Sequence, residues 1–142
     1  MNLSAGDDRH IAHEASVLNG HWIVTDGLLA GVQLPHDALK ELTLTLHDGR
    51  FGLGVDEGRI ALDWEASPAS MDVLIVRGPN RGRFVPAIFE QTDARLRICF
   101  DLSGRQRPEA FEAPPGTRRF LATYQRSARP RAQKSMRAEL VA

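Results

Sequence analysis

From residue 20 to residue 126 the apolar side chains recur at every second position in short runs, each closed by turn residues. Leu42, Leu44 and Leu46 alternate with Thr43 and Thr45, which puts the leucines on one face of a strand and the threonines on the other. Asp48-Gly49 follows, a dipeptide that accepts the positive φ angles of a tight hairpin. Phe51, Leu53 and Val55 predict the next strand, Glu57-Gly58 the next turn, and Ile60, Leu62 and Trp64 another strand. Upstream, His21–Thr25 reads as the first strand. Downstream, Met71–Val76 is an apolar run that predicts a strand buried on both faces, and Gly78–Gly82 is a turn. Phe84–Gln91 is a further strand in which Pro86 marks an edge, a bulge or a bend. Thr92-Asp93 turns the chain into Arg95–Leu102, where Leu96, Ile98, Phe100 and Leu102 share a face. A loop punctuated by Gly104, Pro108, Pro114, Pro115 and Gly116 leads to the last strand, Arg118–Arg126.

Two stretches depart from this period. Pro35–Glu41 has Pro at a plausible first helical position and an early acid, and predicts one short helix after the first strand. Residues 1–17 are polar, with Ile11, Ala15 and Leu18 spaced as a helical stripe behind Asp7 and Asp8, and read as an N-terminal helix or arm. The strands, about eight in number, are joined mostly by short turns, which favours antiparallel up-and-down pairing because parallel strands need long crossovers. A meander with one apolar face buries that face, and loses its exposed edges, by curling closed. The expected fold is all-β, a lipocalin-like antiparallel up-and-down barrel over residues 18–126, with residues 127–142 as a basic tail.

A chain of 142 residues suffices for one such domain with a real core. Its 18 Lys and Arg balance 18 Asp and Glu, so a wholly basic, nucleic-acid-binding surface is not expected. The balance is uneven, since Arg129, Arg131, Lys134 and Arg137 face only Glu139 in the tail. That tail is either a solubilising end or a contact for acidic partners or anionic lipids. One cysteine excludes an internal disulfide, and no apolar run is long enough for a membrane-spanning helix. No basic n-region followed by an apolar h-region opens the chain, so a cytoplasmic location is the expectation, with the envelope or secretion left open.

Chemistry-bearing residues are sparse. His10, His13 and Glu14 have part of a zinc-ligand spacing but no further ligand at a recognisable interval, so no metal or cofactor is expected. Cys99 alternates against Ile98 and Phe100 and is expected outside the barrel as a packed, inert thiol. Gly78–Gly82 lacks the Gly-Lys-Ser/Thr of a phosphate-binding loop. The inferred inward set is Trp22, Val24, Leu42, Leu44, Leu46, Phe51, Leu53, Val55, Ile60, Leu62, Trp64, Val73, Ile75, Leu96, Ile98, Phe100, Phe120 and Tyr124. It is almost wholly apolar, and an interior of this size either fills with side chains or holds one small ligand. Trp22, Phe51, Trp64, Ile98, Phe100 and Tyr124 are the candidate ligand contacts, with Trp64 and Tyr124 as the polar handles.

A resemblance becomes specific at Leu18-Asn-Gly20-His-Trp22, the Gly-x-Trp arrangement at the start of lipocalin-like barrels. With Gly78-Pro-x-x-Gly82, Leu96–Phe100 and Gly104–Phe111, in this order and spacing, residues 17–126 resemble a bacterial lipocalin-like family with a calycin-type barrel. That family was first noted in planctomycetes, and its members are mostly uncharacterised. The resemblance implies that Trp22 closes the barrel floor beneath a basic side chain of the last strand, Arg126, or else Arg118 or Arg119. It also implies that Gly20 lets the backbone pass close by, and that Arg107 satisfies carbonyls at the last loop.

Three functions follow as expectations. The first is a non-catalytic binding module for a small apolar or amphipathic ligand, in the barrel or at its mouth. The alternative is a protein-interaction or structural scaffold with a filled interior, including self-association. An enzyme comes third, because it needs a polar constellation such as His36, His47, Asp56 and Arg107 meeting at the barrel mouth, and no catalytic residue is nominated.

Overall fold

The computed structural model describes residues 17–127. The chain forms β1 (Gly20–Leu29), β2 (Val32–Gln33), a one-turn helix α1 (His36–Leu39), β3 (Leu44–His47), β4 (Arg50–Leu53), β5 (Asp56–Asp63), β6 (Ala69–Arg77), β7 (Phe84–Thr92), β8 (Arg95–Asp101) and β9 (Arg119–Arg126). The pairing order is β1-β3-β4-β5-β6-β7-β8-β9, and β9 returns to β1 from Trp22↔Arg126 to Leu29↔Phe120. This is an 8-stranded antiparallel up-and-down barrel of calycin type, with α1 following the first strand as the sequence predicts. The two-residue β2 pairs only with the far end of β1, as a hairpin arm outside the ring. The His10, His13 and Glu14 spacing and the basic residues Arg129–Arg137 lie outside the described residues.

Antiparallel order sorts the connections onto two ends. The start of β1, the end of β9 and the turns at 48–49, 64–68 and 93–94 lie at one end, the floor. Residues 30–31, α1, 54–55, 78–83 and the long loop 102–118 lie at the other.

Three local expectations are corrected. The β4–β5 turn falls at Gly54-Val55, not Glu57-Gly58, and Val55 is 76% exposed instead of facing inward. Gly54 takes the positive φ (+61°) that the turn requires. Gly58 lies within β5 at a register shift, packed so closely that a Cβ there would stand 2.3 Å from the Leu74 carbonyl oxygen. Met71, Val73 and Ile75 are buried, but Leu74 and Val76 are exposed, so β6 is buried on one face only. β1 runs four residues past the predicted end at Thr25, because a bulge between Val24 and Asp26 turns Gly27 inward in place of the aspartate. Pro86 lies one residue beyond the part of β7 that pairs with β8, opposite Asp72, where its missing N–H costs no rung of that ladder.

The core is the inward stripe of every strand, including Trp22, Leu44, Leu46, Phe51, Met71, Val73, Phe89, Leu96, Ile98, Phe100, Phe120 and Tyr124. Leu42, Leu53, Ile60, Leu62 and Trp64 pack against it half-buried. Phe100 stacks on Phe120 (centroids 6.0 Å apart) and meets Phe51 edge-on at 6.4 Å.

Candidate functional site

The floor is built from a short sequence at the start of the barrel and one side chain from its end. Trp22 is fully buried, and its indole N–H donates to the Leu18 carbonyl at 2.9 Å. The Arg126 guanidinium lies 4.2 Å from the Trp22 ring centroid, where the negative ring face attracts it. The same guanidinium donates to the carbonyls of Asn19 (2.6 Å) and Val17 (2.7 Å). Gly20 has φ +142°, and a Cβ there would meet Arg126 Nη1 at 2.9 Å, so both conformation and space require glycine. Asn19 fastens the segment to the β3–β4 turn, donating to the Asp48 carboxylate and accepting from the Asp48 N–H, each at 2.9 Å. Of the three arginines that the resemblance leaves open, Arg126 is the one over Trp22.

At the opposite end α1 acts as a cover. Its Leu39 is buried and meets Gly27 so closely that a Cβ there would stand 2.8 Å from Leu39 Cδ2 and 3.2 Å from Phe120 Cε1. Leu34 is tied down by its N–H donating to the Gly27 carbonyl at 2.8 Å. An isolated inward glycine in a strand is the signal in the sequence that another group approaches there.

The interior is apolar except for two groups, both toward the floor. Tyr124 is fully buried, inward-facing between Val24 of β1 and Leu96 of β8, and its hydroxyl finds no hydrogen-bond partner among the described residues. Burial alone pushes its ionisation far above the ordinary phenol range, so the hydroxyl is a neutral donor and acceptor. Trp64 packs edge-on against Phe89 at 5.0 Å, and its indole N–H is likewise buried without a partner among the described residues. Phe51, Ile98 and Phe100 line the same apolar core.

The long loop 102–118 folds back over the outer face of β7 and β8, so that face is covered too. Ile88 and Cys99 are buried there, and the Cys99 thiol donates to the Glu112 carbonyl at 3.4 Å. Burial pushes the thiol's ionisation up, which leaves it protonated and unreactive. Arg97 lies 4.5 Å from the Phe111 ring centroid. Arg107 reaches β6 and β7, pairing with Asp72 at 2.7 Å and donating to the Ala87 carbonyl at 3.2 Å.

The constellation needed for an enzyme does not assemble. His36 lies on α1, Arg107 on the outer face with Asp72, and His47 beside Asp48 at the floor. Asp56 holds the Asn80 side chain (2.7 Å) and backbone N–H (3.1 Å) at the other end. His47 and Asp56 share only a shallow outer groove of about 990 Å³ along β3–β5, which also contains Arg50 and Arg59. Among the described residues no group of three or more His, Cys, Asp or Glu could hold a metal ion, and no helix is long and apolar enough to cross a membrane. Sequence reasoning passes over Gly27 and Leu39, and also Arg83 and Arg105, which lie far apart along the chain. Compared with known proteins, the chain matches no family model, no curated protein and no solved structure.

Proposed function

We propose that the protein is a non-catalytic binding module that takes one small, mainly apolar ligand with a polar head into its barrel. The observation that carries this reading is the pair of buried, unpartnered polar groups, the Tyr124 hydroxyl and the Trp64 N–H, in an otherwise apolar interior. A buried donor left unpaired costs about 1–3 kcal/mol, and a ligand oxygen offered to either group recovers that cost. Entry is by way of α1, a single turn with no side-chain cap, and not through the floor, where Arg126 and Asn19 are tied by several hydrogen bonds. Similarity to the lipocalin-like family of planctomycetes is consistent with this use of the barrel.

The test is mass spectrometry of the purified protein under native conditions, followed by thermal melts against long-chain alcohols, amides and acids. Bound amphiphile, or a rise in Tm on adding one, together with a change in fluorescence from the protein's 2 Trp residues, is the expected result. A protein that carries nothing and melts unchanged across the panel overturns it.

A second reading, an interaction scaffold, is favoured by one observation. Leu74 and Phe84 are directly opposed on β6 and β7, and both are exposed together with Val76. Self-association that is abolished by Phe84→Ser, with no ligand response, supports the scaffold instead.

A further inference from the structure

At the end of the barrel away from Trp22, a depression of about 550 Å³ opens between the β6–β7 turn, the loop after β8 and the start of β9. Arg83, Arg105, Arg118 and Arg119 all line it. They come from three separate stretches of chain, and the side-by-side packing of β7, β8 and β9 brings them together. Asp101 of β8 pairs with Arg119 of β9, and the Leu102 N–H donates to the Arg118 carbonyl at 2.8 Å. Gly104 presses so close to the start of β7 that a Cβ there would stand 2.7 Å from the Phe84 carbonyl oxygen, which sets the loop carrying Arg105 against the residue that follows Arg83.

The one carboxylate in the depression, Asp101, is already committed. It accepts the Ser103 hydroxyl (2.7 Å) and the backbone N–H groups of Ser103 (3.1 Å), Arg105 (3.1 Å) and Gln106 (2.7 Å). Among the described residues the ion pairs involve Lys40, His47, Arg77, Arg97 and Arg107, and none of these four arginines. Four guanidinium groups against one occupied carboxylate leave the depression strongly positive. The described chain as a whole is close to neutral, with 13 Lys and Arg against 14 Asp and Glu. Like charges gathered in this way repel one another, and an anion placed among them relieves the repulsion.

We infer that this depression binds a small phosphate-bearing anion, gripped by Arg83, Arg105, Arg118 and Arg119. Guanidinium forks match phosphate oxygens two at a time, and the depression offers donors instead of an apolar wall. Its concavity selects the size of the ligand. Arg119 is half-buried and Asp101 buried, so a flat bilayer or a duplex meets the rim, whereas a compact phosphate reaches the inner guanidinium. The site lies outside the barrel interior and does not depend on a ligand at Tyr124 and Trp64.

The test is an amide NMR titration of the full chain with inorganic pyrophosphate at low salt. The expected result is saturable shifts centred on Ser103–Gln106 and Thr117–Arg119, weakened at least about tenfold when salt is raised to near 0.2 M. The double variant Arg105→Gln, Arg118→Gln changes only exposed side chains and is expected to weaken binding by at least about tenfold with its spectrum otherwise intact. Arg50→Gln, Arg59→Gln removes two arginines that oppose each other on β4 and β5 and is expected to leave binding unchanged. The proposal is overturned by the absence of saturation at about 10 mM pyrophosphate, by equal weakening in both double variants, or by shifts mapping elsewhere. It is also overturned if hexaglutamate or phosphatidylglycerol vesicles bind there and pyrophosphate fails to displace them.

Discussion

At the floor of the barrel one arginine is held by a ring face and two carbonyls, and the segment it holds is fastened again through Asn19 to Asp48. At the other end a four-residue helix rests one leucine in the gap above a glycine, and arginines crowd a depression without carboxylate partners. The turns at the floor carry Asp48, Glu65 and Asp93, whereas the depression at the other end gathers four arginines around one carboxylate. The difference separates two roles. At the floor Arg126, Asn19 and Asp48 are spent on one another, so their chemistry is structural and saturated. The α1 end leaves its arginines without carboxylate partners among the described residues, and such groups are what an anion can use.

Four measurements can break or sharpen that contrast. The largest effect is expected at the floor, where Trp22→Ala removes a fully buried indole and leaves Arg126 without its ring. Chemical denaturation should show a loss of about 3–5 kcal/mol, and a loss below about 1 kcal/mol would mean that the floor is not the anchor.

Next come two glycines, one at each end. Gly20→Ala must force a side chain into a left-handed conformation against Arg126, whereas Gly27→Ala meets the movable tips of Leu39 and Leu34 and an edge of Phe120. The first should cost about 1–3 kcal/mol. The second should cost less and admit amphiphiles faster, read by stopped-flow fluorescence. Equal costs would erase the distinction between a locked end and a yielding one.

The third is Tyr124→Phe. In the ligand-free protein the hydroxyl is an orphan, so its removal should raise stability by up to about 1 kcal/mol while weakening the binding of any polar-headed ligand. A loss of stability would show that the hydroxyl already has a partner and would remove the main support for the interior site.

The smallest effect concerns Asp101. Burial acts to raise its pKa. The Gln106 N–H, the Ser103 hydroxyl and the N–H groups of Ser103 and Arg105 more than offset that and hold it below the usual carboxylate value. A depressed pKa in the folded state makes this contribution complete above the unfolded value, about pH 4, and lost as pH falls through the folded value. Asp101→Asn should therefore lower stability at neutral pH and flatten part of the acid limb of the stability curve. An unchanged acid limb would contradict that assignment.

Much of the barrel is legible in the amino-acid sequence. Alternation at Leu42–Leu46 and Leu96–Leu102 determines which side chains face inward, because successive residues of a strand point to opposite faces whatever the strand pairs with. Asp48-Gly49 is readable as a hairpin for an equally local reason, since both residues take positive φ, 49° and 84°. Cys99 is readable as outward-facing by the same period. That a loop covers it is not, because alternation says nothing about what lies outside a barrel.

The choice between Gly54-Val55 and Glu57-Gly58 as the β4–β5 turn shows where local reasoning stops. Both stretches offer a glycine, and local propensity favours Glu57-Gly58 because Val55 prefers a strand. That preference is overridden by the carbonyl of Leu74, which passes where only a residue without a Cβ fits, so Gly58 belongs inside β5. The candidate sites lie beyond that limit as well. By itself the sequence determined the period, the strands and the apolar character of the interior, since these depend on interactions within a few residues. The meeting of Arg126 with Trp22 was decided by closure of the ring, and the lack of any partner among the described residues for Tyr124 and Trp64 and the convergence of Arg83, Arg105, Arg118 and Arg119 by how strands and loops distant in sequence pack. Closing the ring from β9 to β1 sets neighbours across many residues of chain, and a polar group's partners, or their absence, exist only once those neighbours do.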